Sequence, residues 1–547
     1  MPLYDLRRYQ AAMARIFEKE QDQKALSGTQ GGNGARMRRR PATLVRLLYR
    51  ICYVARVSEP LTLMDLLNAA ADGRRTAVIV PDSGLRVTYD ELRRRVRGMA
   101  AGLRGAGIGR GDRVAMALPN GLDAIVGFLA AAMAGTAAPL NAGYKFDEFC
   151  FYLADTRAKM LMVPSLEGAE SGEARRAAEQ AGIAVVTPEI AGGGSAPEAE
   201  PDDIALVLHT SGSTGRPKRV PLRHRNLAAS TRTIAETYEL GPADVSLCLM
   251  PLFHVHGLMA STMATLLTGG TVVVPARFNA LTFWRMVRDY GVTWYSAVPT
   301  MHQLILMRKR GGEKLRFVRS CSAALTPDLM ERMEEYFAAP VLEAYGMTEA
   351  SHQMASNPLP PAPRKAGAVG KGTGVRISIR DGAGVELPGG QAGEVCIEGP
   401  GVIREYENNA EATGKSFFGV WFRTGDQGIV DEDGYLRLTG RLKELIIRAG
   451  ENIAPREIDE VLLAHPAVGE AVSFGVPHPT WGEEVEAAVV LRPEMQAGEA
   501  ELMAFCRSRL ADFKCPKKIH MVASIPRTAT GKIQRMNVAA ALGGGAK

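Results

Sequence analysis

Ile204-Ala205-Leu206-Val207-Leu208-His209-Thr210-Ser211-Gly212-Ser213-Thr214-Gly215-Arg216-Pro217-Lys218 is the stretch on which the reading of this chain turns. Its first six residues form an apolar, strand-like run. After them hydroxyls alternate with glycines, and a lysine closes the segment. Small residues let backbone N–H groups approach a polyphosphate. The hydroxyls donate further hydrogen bonds, and Lys218 adds charge. The segment is not a Walker A loop, because no Gly-Lys-Ser/Thr ends it. A flexible Ser/Gly linker is the bland alternative. The flanking apolar runs and the Pro-Lys ending weigh against it.

Outward from this loop the pattern alternates. Arg74–Pro81 is strand-like, and Thr88-Tyr89-Asp90-Glu91-Leu92 opens an amphipathic helix with a capping signal. Val114–Leu118 reads as a short strand and Gly121–Ala134 as a buried helix. Leu61–Leu67 reads as the first helix of the body. Residues 167–202, rich in Ala, Glu and Gly, read as a surface helix and then a loop at Gly192–Ser195. Strand–helix alternation argues an α/β fold with doubly wound parallel sheets. A separate α/β pattern begins near Arg441–Lys443. The expected division is a large domain over 61–441 and a small one over 442–547.

The chain has 547 residues, 46% hydrophobic and 23% charged, enough to bury a large core. That mixture excludes a mainly disordered, collagen-like or coiled-coil protein. No stretch approaches the roughly 18 apolar residues of a membrane span. The net charge of +7 is local. Residues 1–60 hold 12 of the 66 bases and 5 of the 59 acids, so the other 487 residues carry 54 of each. Nothing in that balance argues for nucleic-acid binding by the body. Three readings of the basic tail are open: a disordered segment, a membrane-surface or nucleic-acid arm, or a stretch preceding the native start near Met37 or Val57. The seven cysteines are scattered with no Cys-x-x-Cys pair, which fits a reducing cytoplasm better than a zinc site or disulfide scaffold.

The loop and four later motifs, in order, resemble the AMP-forming adenylating superfamily of acyl-CoA synthetases, luciferases and peptide-synthetase adenylation domains. The resemblance spans about residues 61–540. It implies a large N-terminal domain with doubly wound sheets and a small barrel-like subdomain, followed by a small mobile α+β domain. It implies ATP, Mg²⁺ and coenzyme A as ligands. The loop Thr210, Ser211, Gly212, Ser213, Thr214, Gly215 and Lys218 would hold the phosphates. Arg219 stands where the family has glycine, an added positive charge near them.

The other carry-overs follow the same order. Ser322-Ala323-Ala324 resembles the loop lining the adenine and acyl sites. Glu343-Ala344-Tyr345-Gly346-Met347-Thr348-Glu349 resembles the segment in which Tyr345 stacks on adenine, Thr348 contacts the α-phosphate and Glu349 binds Mg²⁺. Asp426 and Arg441 would hold the ribose. Lys443 would be the hinge, and Gly450 would let pantetheine pass the backbone. Lys532, in Thr528-Ala529-Thr530-Gly531-Lys532, would swing in to bridge the substrate carboxylate and the α-phosphate.

The acid is read from the remaining segments. Pro251–Leu258 supplies His254 and His256, Tyr295–Thr300 supplies Ser296, and Glu349–Met354 supplies His352. A pocket for an apolar acyl group is lined by apolar residues. Histidines and a hydroxyl fit a second carboxylate, and an apolar acid could not satisfy them. Core packing is the bland alternative for these histidines, most of all for His302. The longer runs, Glu343–Pro360 above all, are similar to the oxalate–CoA ligases of plants and fungi. The expected reaction is therefore oxalate to oxalyl-CoA. Malonate, 4-coumarate or a medium-chain fatty acid, or loading of a carrier protein, are the alternatives of the same fold. A non-catalytic binding protein is the alternative of another class. A malonate enzyme would be expected to carry a pocket arginine, which the sequence does not locate. The oligomeric state, monomer or homodimer, is not read from the sequence.

Overall fold

A computed structural model describes residues 61–70, 72–165, 169–192, 198–210, 217–449, 451–527 and 533–542. The tail, residues 1–60, with its three readings, lies outside them. The body opens as its sequence suggests. Thr62 caps the helix Leu63–Ala69, its hydroxyl accepting from Asp65 N while the Asp65 carboxylate accepts from Thr62 N. Thr88 caps Tyr89–Gly105 by accepting from Glu91 N.

The described strands form four sheets. One has six strands, in the order Ala184–Val186, Ala158–Met162, Arg113–Met116, Thr136–Pro139, Ile204–Thr210 and Lys218–Arg223. All neighbours are parallel except the last pair, a hairpin. The short strand Ala184–Val186 breaks the stretch read from sequence as helix and loop.

A second sheet has nine strands, in the order Lys371–Gly372, His352–Ser356, Val341–Met347, Phe317–Ser320, Trp294–Ala297, Val245–Cys248, Thr271–Val273, Thr76–Val80 and Leu85–Thr88. Its centre is parallel and both edges are antiparallel. The helix Leu122–Ala134 is apolar on every side because it packs against strands of both sheets.

A small antiparallel sheet follows, made of Arg376–Arg380, Gly393–Glu398, Phe417–Phe418, Trp421–Val430 and Leu436–Arg441. It stands where the barrel-like subdomain is expected. The fourth sheet joins Ile446–Arg448, Glu451–Ile453, Val468–His478, Gly482–Leu491 and Lys518–Met521. Its core is built on Ile446, Ile458, Leu462, Val485, Val489 and Leu502. The six described cysteines are free thiols. Among the described residues no helix is long and apolar enough to cross a membrane.

The parallel centre of the nine-stranded sheet sets the site. Parallel strands deliver Cys248, Ala297, Ser320 and Glu343 to one edge. Ligands of open α/β sheets bind beyond such carboxyl ends. The segments carrying His256, Ser322 and Glu349 all leave from this edge.

Candidate active site

The expected phosphate side is organised by the hairpin of Ile204–Thr210 and Lys218–Arg223, which sets Thr210 opposite Lys218. Ser211, Gly212, Ser213, Thr214 and Gly215 lie outside the described residues, as do Gly450 and Lys532. The Thr210 hydroxyl donates to Glu349 Oε1 at 3.3 Å. Glu349 follows Thr348 in a short turn after Val341–Met347, and its backbone carbonyl accepts from Ile403 N. The same Oε1 accepts from the Tyr406 hydroxyl at 2.8 Å. Lys218 Nζ lies 4.4 Å from the centre of the Tyr406 ring. Burial lowers the Lys218 pKa; Glu349 opposes the shift, and the Lys443 charge adds to it.

Arg219 corrects an expectation. It pairs with His209 in the hairpin, so ordinary strand geometry continues past Lys218. Its guanidinium lies in a cluster of charges. Arg219 Nε lies 3.4 Å from Glu407 Oε2 and 3.7 Å from Asp155 Oδ2. Asp155 also meets His209 Nε2 at 3.0 Å, and Arg113 pairs with Glu407. Two acids absorb the charge that the sequence assigns to the phosphates.

On the expected nucleoside side, the Tyr345 hydroxyl donates to Asp426 Oδ2, while Arg441 Nε meets Asp426 Oδ1 at 3.1 Å. Register fixes that second contact, because Asp426 and Arg441 are cross-strand partners. Burial and the neighbouring Asp426 hold the Tyr345 phenol well above its usual pKa. Ala344 and Gly346 flank Tyr345 on the same strand. A side chain at Gly346 would meet the His352 carbonyl at 2.1 Å, so glycine is required there. Glu343 faces inward, 1% exposed. One of its oxygens accepts from Leu325 N at 3.0 Å, tying down the end of the exposed segment that begins at Ser322, Ala323 and Ala324. Lys443 is exposed in the turn Leu442–Glu444.

The acid side gathers three of its four expected residues. His256 Nε2 meets Ser296 Oγ at 2.7 Å and its Nδ1 meets Ser322 Oγ at 3.0 Å. Its ring stacks on His352, with centroids 5.0 Å apart. His256 begins a π-helical turn, His256–Met263, a rare geometry that often marks functional sites. Ser322, Ser351 and His352 all carry positive φ, at 72°, 57° and 125°. Such backbone costs about 1–3 kcal/mol per residue and tends to cluster at working sites. His254 lies two residues before His256, half-buried, its ring tilted against Phe253. His302 bonds to the Tyr295 hydroxyl inside the core, and burial pushes its pKa down to about 3.

Two residues central to this geometry were not found from the sequence. One is Tyr406, 57 residues past Glu349. The other is Arg319, wholly buried on the strand Phe317–Ser320 and beside Ser296 in register. An arginine in a four-residue strand between Phe317-Val318 and Cys321 was its only signal. Among the described residues no group of three or more metal-ligating side chains occurs. Glu349 nevertheless suits Mg²⁺. It is a hard carboxylate whose described hydrogen bonds both go to Oε1, and Mg²⁺ typically takes one or two carboxylates with phosphate oxygens and waters.

The model of the AMP-binding enzyme family matches residues 67–407, and that of the AMP-binding enzyme C-terminal domain matches 457–532. An oxalate–CoA ligase of Arabidopsis thaliana is 47% identical over 79% of this chain and 89% of its own. An oxalate–CoA ligase of Saccharomyces cerevisiae is 43% identical over 85% of this chain and 94% of its own. The ATP-bound crystal structure of MatB from Rhodopseudomonas palustris superposes with a TM-score of 0.81 at 31% identity, covering 88% of this chain and 98% of that one.

Proposed function

The chain belongs to the AMP-binding enzyme family, and from that premise we propose that it uses ATP to join oxalate to coenzyme A through an acyl-adenylate. The observation that carries the choice of acid is the hydrogen-bonded group His256, Ser296, Ser322 and His352, polar throughout and set beside the Tyr345–Glu349 strand end. The identity to two oxalate–CoA ligases supports it.

A carboxylate is a poor electrophile, so activation comes first. One oxalate carboxylate attacks the α-phosphorus of ATP and pyrophosphate leaves. The obstacle is electrostatic, because an anion must approach a polyanion. Lys218, Thr210 and the loop Ser211–Gly215 would offset that repulsion by fixed charge and oriented donors. Tyr345 would carry the adenine, and Asp426 with Arg441 the ribose. Thr348 would meet the α-phosphate. Mg²⁺ held by Glu349 would neutralise phosphate charge. Lys532 would bridge the two reacting groups. The division into 61–441 and 442–547 belongs to the same proposal. Rotation about Lys443 would withdraw Lys532 and bring Gly450 to the pantetheine, whose thiolate attacks the adenylate carbonyl and expels AMP. Free thiols at all six described cysteines support a cytoplasmic setting.

The test is a coupled assay of AMP and thioester formation with oxalate, malonate, 4-coumarate and octanoate. The expected result is turnover of oxalate well above the rest. Turnover of malonate, coumarate or octanoate above that of oxalate overturns the choice of acid; malonate is the sharpest rival, because the buried Arg319 supplies the pocket arginine expected of a malonate enzyme.

A further inference from the structure

Arg319 is 0% exposed. Its Nε donates to the Tyr238 hydroxyl at 2.8 Å. Nη1 donates to Ser296 Oγ at 3.0 Å and lies 3.4 Å from His256 Nε2. Nη2 meets His352 Nε2 at 3.1 Å and Gln353 Oε1 at 3.0 Å. A guanidinium does not lose its proton in proteins, and a buried one is ordinarily paired with an acid. These partners are hydroxyls, imidazoles and an amide, and the buried Cys321 thiol stands beside them. Among the described residues no carboxylate stands within ion-pair reach of Arg319.

Arginine only donates, and that fixes the direction of every bond around it. His352 Nε2 must accept, so the ring proton sits on Nδ1. That atom lies on the nucleotide side, 3.1 Å from where a Gly346 side chain would begin. Arg319 Nη1 faces both Ser296 Oγ and His256 Nε2, so Nε2 carries no proton and accepts the single proton of Ser296. His256 then carries its proton on Nδ1 and donates to Ser322 Oγ, half-buried at the lip of the site. Donors run outward from Arg319 through Ser296 and His256 to Ser322, and the His352 Nδ1 proton lies beside the Gly346 backbone.

We infer that Arg319 sets the charge that the acyl site selects: an uncompensated guanidinium behind His256, Ser296 and His352 that turns their donors outward and receives a dianionic guest. This deepens the oxalate reading and rests on it. Arg319 is a positioning and specificity residue, acting through the histidines and through its field.

The experiment compares oxalate with oxamate, which has the same size and one charge fewer. The readout is the ratio of kcat/KM for the two acids in wild type, Arg319→Met and Arg319→Lys, each checked for folding by thermal melting. Whatever loss both acids share, Arg319→Met should lower the oxalate-to-oxamate ratio by about a hundredfold, chiefly through the KM for oxalate. That is the effect of one charge at ~6 Å in an effective dielectric of about 20. Burial lowers the pKa of a lysine, so Arg319→Lys is read at about pH 6, where an ammonium facing a dianionic guest keeps its proton, and should hold the ratio within about threefold of wild type. Equal losses for the two acids in Arg319→Met overturn the inference. If Arg319→Met does not fold, collapse of the ratio in Arg319→Lys overturns it, and retention supports it. A wild type that ignores oxalate overturns the oxalate reading first, and this inference with it.

Discussion

The Lys218 ammonium sits over the ring of Tyr406, 4.4 Å from its centre, and the hydroxyl of that ring donates to Glu349. One aromatic side chain thereby spaces the cation from the carboxylate. It also leaves Glu349 Oε2 outside the bonds that Thr210 and Tyr406 make to Oε1.

Tyr406→Phe should therefore raise the concentration of Mg²⁺ and ATP needed for half-maximal adenylation by roughly tenfold. A hydrogen bond to a charged group contributes about 1.5 kcal/mol. Tyr406→Leu also removes the cation–π contact, worth about 1 kcal/mol, and should fall further. Titration of Mg²⁺ at fixed ATP measures both. An unchanged Mg²⁺ midpoint in Tyr406→Phe contradicts the role given to this hydroxyl.

Arg219 is expected to act on stability more than on phosphate binding. It lies among Asp155, Glu407, Arg113 and His209, with only 11% of its side chain exposed. Arg219→Ala leaves two acids short of a cation, a loss of about 3 kcal/mol, softened where Arg113 still reaches Glu407. Urea unfolding should show a lower midpoint at unchanged slope. A large rise in the KM for ATP with an unchanged midpoint would return Arg219 to the phosphates.

Much of this frame could be read from local sequence. The caps at Thr62 and Thr88 and the helix Leu122–Ala134, apolar but for Asp123 in its first turn, are short-range signals, and so is the strand before the loop. Arg219, Arg319 and Tyr406 could not be read so. Their meaning lies in contacts across tens of residues: Arg219 with Asp155, Arg319 with His256, Tyr406 with Glu349. An arginine beside a phosphate motif looks like a phosphate ligand until its rotamer is known. An arginine in a four-residue strand looks like an edge residue until the sheet places neighbours on both sides.

The fourth sheet and its helices have their own charged anchor. Arg535 Nε meets Glu444 Oε2 at 3.0 Å, Nη2 meets Asp459 Oδ2 at 2.7 Å, and Nη1 donates to the Ser473 carbonyl. These contacts tie the helix Arg535–Ala541 to the residue following the hinge candidate. Arg535→Leu strands the buried Asp459 and should cost about 3–5 kcal/mol. Calorimetry should show a lower Tm, with greater proteolysis after residue 443 than before it. An unchanged melt would remove Arg535 from the account of stability.

Glu343 yields a prediction in pH. Burial pushes its carboxyl up from 4.5 to about 7; Arg456 and the Leu325 N–H oppose the shift only in part. Its Oε2 is buried and makes no hydrogen bond among the described residues. Below pH 4.5 the group is protonated in both folded and unfolded chains and contributes nothing to the pH dependence. Between pH 4.5 and about 7 the unfolded chain releases the proton while the folded one keeps it. Stability then falls as pH rises, and the penalty is complete above about 7. The full difference is on the order of 3 kcal/mol. Glu343→Gln cannot ionise, and its amide oxygen can still accept from Leu325 N. The stability of Glu343→Gln relative to wild type should therefore rise by about that amount between pH 4.5 and pH 8. Urea unfolding at both pH values measures it. A gap that stays constant across that range means that Glu343 is ionised in the folded protein throughout, and that the Ser322–Leu325 segment hangs from a carboxylate instead of an acid.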